Sequence, residues 1–249
     1  MASFIYDILY FRHIYLLFNP RNWLIIAKIP KKVMQNLLAI RKYPDIYRLT
    51  RHVDGLISFN VGMTLYESVL NSGHPSKSII EVGAYKGLST IYLSLAARET
   101  GRRVKSFELF TGLPSVDNDI DKGFENGEFS SSPAEYMANL NKYGCPETVD
   151  LVIGDARERL LPAVGKGGFA VAFLDADVYG VTKDLLMKLW SIAQGGEVII
   201  IHDAFSPGMR KAIDEFRKAT NNANTESFPE VGTLKFIVPR NKIKTEPDK

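Results

Sequence analysis

From Ser76 onward, short runs of β-branched and other apolar residues alternate with segments of helical periodicity. This alternation predicts a mostly parallel, doubly wound α/β sheet flanked by helices. Two of the runs, FAVAFLD and EVIIIHD, are almost wholly apolar, as expected of strands that are buried on both faces. Helices are predicted from about Leu88 and over residues 134–143. The predicted strands are, in chain order, SIIEVG, RVKSFEL, VDLVIG, FAVAFLD, EVIIIHD and TLKFIVP.

A basic N-terminal stretch precedes this pattern. Residues 1–52 hold nine Lys and Arg against two Asp and Glu, a formal charge of +7, whereas the remainder carries −4 and the whole chain +3. Aromatic and aliphatic residues recur there at helical spacing and are interrupted at Asn19-Pro20 and Ile29-Pro30, which predicts several short amphipathic helices. We expect three parts: a helical extension over residues 1–55, one α/β domain over residues 56–240 and a disordered tail over residues 241–249.

The extension has two open interpretations. Its apolar side chains fit a cover on the α/β domain or a subunit interface, and its basic charge also fits peripheral contact of residues 1–52 with a membrane surface. No apolar stretch reaches the roughly 20 residues of a spanning helix. The rest of the chain has no basic stripe, which argues against a nucleic-acid partner. The single cysteine, Cys145, fits a reducing compartment, so we expect a cytoplasmic protein.

The first predicted strand leads into a glycine turn. In SIIEVGAYKGLST, Gly83 and Gly87 stand between the strand and the next helix, where small residues let the backbone approach a ligand. The next strand ends at Glu108, 21 residues beyond Gly87. This is close to the roughly 20-residue interval at which an acidic residue meets a ribose diol in dinucleotide folds. The pattern predicts an adenosine-bearing cofactor, with Glu81 and Ser89 as further contacts.

The composition of the turn distinguishes two such cofactors. Nicotinamide enzymes prefer G-x-G-x-x-G, whereas this turn has a carboxylate at Glu81 and lacks the third glycine. This difference favours S-adenosylmethionine. The third strand ends at Gly154-Asp155, where the Asp155 carboxylate is suited to accept a hydrogen bond from an adenine amino group. An N-cap on the following helix is an equally good interpretation of Asp155 and does not exclude cofactor contact.

Ionisable residues end two apolar strands that we expect to be neighbours. FLDADVYG and IIIHDAF place Asp175, Asp177, His202 and Asp203 at carboxyl ends of strands, where ligands bind in doubly wound sheets. Asp175 and Asp177 point to the same side of an extended chain, opposite His202 or Asp203. Helix caps or a buried ion pair are the alternative, although four unpartnered ionisable groups would be costly to bury. Converging oxygen ligands suit Mg²⁺.

These residues predict a chemistry. Methyl transfer to a hydroxyl requires that the hydroxyl be oriented and that a base accept its proton. We assign Asp175, Asp203 and His202 to the metal, Asp175 also to the cofactor, and Asp175 and His202 to catalysis. Asp177 is an alternative ligand or base.

A long loop over residues 112–132 carries five acidic side chains. Loops of this length are usually lids or disordered segments, and a merely solvated loop is the remaining alternative. Its charge disfavours an anionic acceptor and is compatible with a sugar or a cationic one. The acidic residues are Asp117, Asp119, Asp121, Glu125 and Glu128.

Five segments carry a family resemblance: EVGAYKGLST, SFELFTGLP, NLNKYG, FLDADVYGVTKDL and IIIHDAFSPGMRKAIDEF. Together they resemble the macrocin O-methyltransferase-like family of class I methyltransferases. The resemblance implies a Rossmann-like, seven-stranded sheet with one antiparallel strand near its edge, S-adenosylmethionine, Mg²⁺, a sugar or other small hydroxylated acceptor, and a homo-oligomer. It assigns Glu108 to the ribose and Asp175 and Asp203 to the metal. That family usually has a carboxylate pair where this chain has His202-Asp203.

Three functions are open on these observations. The first is a metal-dependent O-methyltransferase acting on a small hydroxylated acceptor, which the motifs favour. The second is a hydroxylase-like enzyme on the same scaffold, for which oxygen uptake dependent on Fe²⁺ and 2-oxoglutarate would be diagnostic. The third is a non-catalytic cofactor-binding or membrane-associated protein, for which the basic aromatic extension is the main argument.

Overall fold

The computed structural model describes residues 38–221, 226–230 and 232–240. The predicted helices over residues 1–37 and the predicted tail over residues 241–249 lie outside this range. Within the described residues, no helix combines the length and apolarity needed to cross a membrane. The helices and strands are α1 (Pro44–Thr50), α2 (Phe59–Leu70), β1 (Ser78–Val82), α3 (Leu88–Thr100), β2 (Val104–Glu108), α4 (Pro133–Tyr143), β3 (Val149–Ile153), α5 (Ala156–Val164), β4 (Phe169–Leu174), α6 (Tyr179–Ile192), β5 (Val198–Ile201), α7 (Pro207–Thr220), β6 (Glu226–Glu230) and β7 (Thr233–Ile237).

The strands form one sheet in the order β3-β2-β1-β4-β5-β7-β6. Strands β1 to β5 run parallel, β7 pairs antiparallel with β5, and β6 pairs antiparallel with β7. The predicted Rossmann-like sheet of seven strands with one reversed strand is therefore confirmed. Chain order reverses between β1 and β4, so a crevice opens at the carboxyl ends of these neighbouring strands.

One strand, β6, is not among the six that the hydrophobic pattern predicts. Its sequence, ESFPE, has two acidic residues and a proline, which are all depleted in strands. Pairing with β7 supplies a strand that local propensity does not. All seven strands lie in the larger of two units into which the chain divides between Leu49 and Thr50. The predicted boundary after residue 55 stays a prediction.

The buried sheet explains the apolar composition of its central strands. Every residue of β4 is buried, and so is every residue of β5. Ile80 and Val82 of β1 belong to one apolar cluster with side chains of α5, α6 and α7, which cover one face of the sheet. On the other side α3 packs against β1 and β2, and it also contacts α2 and α4.

Helices α2 and α4 each begin at a capping serine. The Ser58 hydroxyl accepts the Val61 N–H at the start of α2, and the Ser132 hydroxyl accepts the Glu135 N–H at the start of α4. Both arrangements satisfy helical donors that lack an intrahelical partner. Helix α3 differs, because it follows Gly87 in the left-handed conformation and has no side-chain cap. This uncapped start lies beside the crevice.

A glycine determines how closely α2 approaches α3. A Cβ atom on Gly62 would lie 2.3 Å from ring carbons of Tyr92, a separation that van der Waals contact does not allow. Tyr92 is 2% exposed, and its hydroxyl donates a 2.8 Å hydrogen bond to the Thr50 hydroxyl. The ring therefore has little room to move aside. Gly180, in α6, has no atom within 4 Å of its Cβ position.

We predict that Gly62→Ala lowers the free energy of unfolding by about 1–3 kcal/mol, because the added methyl overpacks the contact between α2 and α3. Urea denaturation monitored by circular dichroism measures the change. The matched control is Gly180→Ala, which should raise the free energy of unfolding by about 0.4–1 kcal/mol through reduced backbone entropy. Equal effects of the two substitutions would contradict the packing argument.

Candidate active site

A cleft of about 970 Å³, part of it open to solvent, lies at the carboxyl ends of the central strands. It collects side chains that are far apart in sequence, because the parallel strands all end at this edge of the sheet. Gly87 and Glu81 are not among its lining residues. The predicted site residues that line it are Gly83, Ser89, Glu108, Asp155, Asp175, Asp177, His202 and Asp203.

Gly83 joins the ends of β1 and β4. Its φ is +82°, and a Cβ atom there would lie 1.9 Å from the carbonyl oxygen of Asp175. The Asp175 N–H also donates to the Val82 carbonyl at 2.9 Å. Only glycine combines this backbone conformation with so close an approach. The predicted role of Gly83, backbone approach to a ligand, is thus joined by a packing role against Asp175.

The two other residues predicted in this turn occupy different positions. Gly87 has a φ of +89° and caps the start of α3, and it shapes the turn without lining the cleft. Ser89, in the first turn of α3, is 4% exposed and lines the cleft. The segment therefore presents Ser89 and the first N–H groups of α3 to a ligand.

Glu108 is held by the backbone on both sides of its carboxylate. One oxygen, Oε2, accepts the Tyr85 N–H at 2.6 Å, and the other, Oε1, accepts the Phe110 N–H at 2.9 Å. Tyr85 and Phe110 both have positive φ values, 49° and 64°, which turn these N–H groups toward the carboxylate. Each carboxylate oxygen has more than one acceptor site. Glu108 can therefore receive two hydroxyl donors in addition to its backbone partners.

Glu81 does not lie in the cleft, contrary to the prediction that it contacts the cofactor. Its side chain is 0% exposed, and its Oε2 accepts hydrogen bonds of 2.6 Å from the hydroxyls of Thr90 and Ser106. Burial raises the pKa of the Glu81 carboxyl to about 7, although the two hydroxyls act in the opposite direction. Glu81 thus ties β1 to α3 and β2 beneath the turn.

Asp155 serves as the N-cap of α5. Its Oδ1 accepts the Arg157 N–H at 2.8 Å, and its Oδ2 accepts from the Arg157 guanidinium at 2.6 Å. The hydrogen bond from Arg157 lowers the pKa of the Asp155 carboxyl. The N-cap interpretation is confirmed. Because Asp155 also lines the cleft, contact with an adenine group stays a prediction.

Asp175, His202 and Asp203 form a compact cluster. Each offers one ligand atom, and these atoms all lie within 4.8 Å of one another. The His202 Nδ1 is 3.0 Å from an Asp175 carboxylate oxygen and 3.5 Å from one of Asp203. Burial alone lowers the pKa of His202, but the hydrogen bond to Asp175 and the three neighbouring carboxylates raise it to about 9. Without a cation, His202 is the positive partner of this cluster.

Asp177 completes the negative charge at this end of the cleft. It is 8% exposed, and its Oδ1 is buried with no hydrogen-bond partner among the described residues. Burial, and then the charges of Asp175 and Asp203, raise the pKa of the Asp177 carboxyl to about 8. Burial likewise raises the pKa of Asp203. A divalent cation would relieve this repulsion, so the donor set fits the predicted metal.

The acidic loop over residues 112–132 is neither disordered nor merely solvated. The Leu113 N–H donates to the Glu128 carbonyl at 2.8 Å, and the Gly127 N–H donates to the Leu113 carbonyl at 3.0 Å. These bonds close the loop and bring Glu128 and Phe129 to the cleft wall. The loop therefore forms part of the cleft wall, and its role as a lid stays a prediction.

Several cleft residues have no recognisable sequence signal. Leu56 and Ile57 line the cleft, yet they precede the first strand and belong to no motif. Tyr85 and Phe129 also contribute, and their rings meet edge to face at 6.5 Å between centroids. Only the aromatic content of the turn and of the loop could have drawn attention to the last two.

The sequence matches one protein family and two curated relatives. The model of a family described as Macrocin-O-methyltransferase (TylF) matches residues 62–228. The 8-demethyl-8-(2,3-dimethoxy-alpha-L-rhamnosyl)-tetracenomycin-C 4'-O-methyltransferase of Streptomyces olivaceus is 29% identical over 161 residues, which is 61% of this chain and 61% of that protein. Mycinamicin III 3''-O-methyltransferase of Micromonospora griseorubida is 25% identical over 163 residues, covering 61% of this chain and 64% of that protein.

The chain thus spans less than two thirds of the length of these curated relatives. Among solved structures, the O-methyltransferase NovP matches with a TM-score of 0.60 and 20% identity, over 74% of this chain and 81% of that chain. This structural similarity supports the Rossmann-like fold.

We predict that Glu81→Gln removes a pH-dependent loss of stability. A carboxyl whose folded pKa of about 7 exceeds its ordinary 4.5 stabilises the protein fully below pH 4.5, and this contribution is lost as the pH rises through 7. At about 1.4 kcal/mol per pKa unit, the loss is on the order of 3 kcal/mol. Urea denaturation should show that, from pH 5 to pH 8, the free energy of unfolding of wild type falls relative to that of Glu81→Gln.

The control for this experiment is Glu197→Gln. Burial alone raises the pKa of Glu197, but hydrogen bonds from Lys77 and from backbone N–H groups lower it below its ordinary value. Glu197 therefore does not titrate between pH 5 and pH 8, and the difference between Glu197→Gln and wild type should stay constant. A constant difference for Glu81→Gln as well would contradict the raised pKa of Glu81.

Proposed function

Because the chain belongs to the macrocin O-methyltransferase family, we propose that it is an S-adenosylmethionine-dependent O-methyltransferase that acts on a hydroxyl of a sugar-containing small molecule. One observation carries the proposal: a backbone-held carboxylate, Glu108, shares a cleft with the cluster of Asp175, His202 and Asp203. The first group suits a ribose and the second suits a divalent cation. A cofactor bound at Glu108 would therefore lie next to a hydroxyl bound at the cluster.

The charge of the cleft supports a neutral or cationic acceptor. Six of its lining side chains are carboxylates. Lys86 also lines the cleft, but its ammonium group is held by Asp54 at 2.8 Å and by Glu135 at 3.2 Å. A phosphorylated or sulfated acceptor would be repelled here. The name of the Streptomyces relative includes a rhamnosyl group, which supports a sugar-bearing acceptor.

S-adenosylmethionine supplies an electrophilic methyl group bound to a positive sulfur. We assign the ribose hydroxyls to Glu108, which lines the cleft and whose two oxygens already accept backbone N–H groups. Gly83 and Ser89 line the adjoining wall, and Asp155 stands at the end of β3 for the adenine. Preorganised acceptors of this kind need not move when the ligand binds.

Asp175, His202 and Asp203 would hold the divalent cation, which we propose to be Mg²⁺. The cation supplies Lewis acidity that lowers the pKa of a nearby hydroxyl. We therefore propose that Asp175 and His202 act in catalysis by holding the cation that orients the hydroxyl. The two carboxylates also make the site suitable for Mn²⁺, which like Mg²⁺ prefers oxygen ligands.

We assign the general base to Asp177. Asp177 lines the cleft beside the cation-binding cluster. Its Oδ1 is buried and has no hydrogen-bond partner among the described residues. Bound S-adenosylmethionine would supply its methyl group to the acceptor oxygen and leave as a neutral thioether, and Asp177 would accept the proton of that hydroxyl. Glu128 and Phe129 of the loop line the same cleft and limit the access of water.

The remaining features stay predictions. They are the homo-oligomer, the cytoplasmic location, and the contact of residues 1–52 with a membrane surface. The hydroxylase-like and non-catalytic alternatives are not favoured, because the matching family is one of methyltransferases. Oxygen uptake dependent on Fe²⁺ and 2-oxoglutarate would revive the first of them.

We predict a division of labour between Glu108 and Asp175. Glu108→Ala should weaken binding of S-adenosylhomocysteine about tenfold or more, because hydrogen bonds to a charged group are lost. Asp175→Asn should retain that binding within about threefold but weaken binding of Mg²⁺ or Mn²⁺ by a similar factor of ten. Isothermal titration calorimetry measures both. The control is Glu158→Ala, on the exposed surface of α5, and equal loss of S-adenosylhomocysteine binding in both site variants would contradict the assignment.

We predict that Asp177→Asn lowers kcat about 10²–10⁴-fold, the usual contribution of a general base. Binding of S-adenosylhomocysteine and of Mn²⁺ should stay within about threefold of wild type. The measurement is the release of S-adenosylhomocysteine with a glycosylated acceptor that wild type methylates. A loss of Mn²⁺ binding comparable to that of Asp175→Asn would instead make Asp177 a ligand.

A further inference from the structure

One acidic residue of the loop differs from its neighbours. Asp121 is 2% exposed, whereas Asp117, Asp119 and Glu125 are exposed to solvent. A carboxylate is rarely buried unless it is paired or hydrogen-bonded. We therefore expect Asp121 to have a structural role that the exposed loop carboxylates do not have.

The Asp121 carboxylate joins the loop to the start of α6. Its Oδ1 accepts the Tyr179 N–H at 2.8 Å, and its Oδ2 accepts the Asp117 N–H at 3.1 Å. Tyr179 is the first residue of this 14-residue helix, where a negative charge is favoured by the helix dipole. The same residue follows Asp177 by two positions. Tyr179 therefore links the Asp121 carboxylate to the turn that carries Asp175 and Asp177.

The start of α7 contacts the same carboxylate. A Cβ atom on Gly208 would lie 2.0 Å from the Asp121 Oδ1 and 3.3 Å from the Tyr179 nitrogen. Gly208 is the second residue of α7, the helix that follows the His202-Asp203 turn. The absence of a side chain at Gly208 lets both helix starts approach one buried carboxylate.

Both of these turns have unusual backbone conformations. Asp177 has a φ of 58° and Asp203 a φ of 46°, values that non-glycine residues seldom adopt. Such conformations persist only where the surrounding structure holds them. The Asp121 carboxylate contacts the first residues of the helix that follows each turn.

We propose that Asp121 is a positioning residue that braces the two turns of the cation-binding cluster and fastens the acidic loop to them. The inference rests on the proposed metal-dependent function. It joins two features that are separate in sequence, the loop over the cleft and the ligands at the strand ends. Closure of the loop and geometry of the cluster then depend on one carboxylate.

The test compares Asp121 with a matched buried carboxylate. Glu197 is 0% exposed and accepts the Gln194 N–H at 2.8 Å and the Gly195 N–H at 2.7 Å, but it lies at the opposite end of β5. Mn²⁺ affinity is measured by electron paramagnetic resonance on Asp121→Asn, Asp121→Ala, Gly208→Ala and Glu197→Gln. Hydrogen exchange of residues 113–129 and 176–182 is measured on the same proteins, together with binding of S-adenosylhomocysteine.

We expect Asp121→Ala and Gly208→Ala to weaken Mn²⁺ binding about tenfold or more and to speed exchange in both segments. Asp121→Asn keeps an oxygen acceptor for Tyr179, so its Mn²⁺ affinity and exchange rates should lie between those of the two alanine variants and those of wild type. Glu197→Gln should leave Mn²⁺ affinity and both segments unchanged, even where it lowers Tm, and S-adenosylhomocysteine binding should stay within about threefold throughout.

Unchanged Mn²⁺ affinity and exchange in the folded Asp121 variants would overturn the inference. If Asp121→Ala does not fold, Mn²⁺ affinity and hydrogen exchange of Asp121→Asn and Gly208→Ala are compared with those of Glu197→Gln and wild type instead. If wild type itself binds no Mn²⁺ or Mg²⁺, the proposed metal dependence fails. In that case hydrogen exchange alone decides whether Asp121 braces the turns, so the two failures are distinguishable.

Discussion

The backbone contact between Gly83 and Asp175 is the constraint on which the site depends. The turn after β1 passes so close to the Asp175 carbonyl that a Cβ atom at Gly83 would lie 1.9 Å from it. The contact holds the glycine turn after β1 against the strand end that carries Asp175. In a methyl transfer, the distance between methyl donor and hydroxyl controls much of the rate. A tight junction between β1 and β4 would therefore serve the proposed methyl transfer as well as the packing of the sheet.

The charges of the cleft are arranged in two different ways. Glu108 is satisfied in advance by backbone N–H groups, so it is ready to accept hydroxyl donors. Asp175, Asp177 and Asp203 instead repel one another, and His202 only partly compensates them. Repulsion of this kind favours binding of a cation, because the cation relieves it. One end of the cleft thus holds a carboxylate fixed by backbone hydrogen bonds, and the other holds carboxylates that repel one another.

The sequence predicts where strands end more reliably than it predicts the direction of a side chain. The apolar runs and the polar residues that follow them predict Asp175, Asp203 and Glu108 at one edge of the sheet, and the structure places them there. Glu81 is the counter-example. It precedes Gly83 by two positions in the same motif, but its side chain points below the turn, where Thr90 and Ser106 bind it. A motif does not specify which way a strand residue faces when both faces of the sheet are buried.

By itself, the sequence determined the α/β class, the parallel core and the strand-end residues that line the cleft, because these follow from local periodicity and from residues at strand ends. Only the tertiary structure decided β6, the positive φ values of Tyr85 and Phe110, and the burial of Asp121. These features depend on contacts between segments that are distant along the chain. The Asp121 carboxylate meets Tyr179 across 58 positions, and no local pattern encodes such a contact, since it forms only when the sheet brings the loop and the helices to one edge.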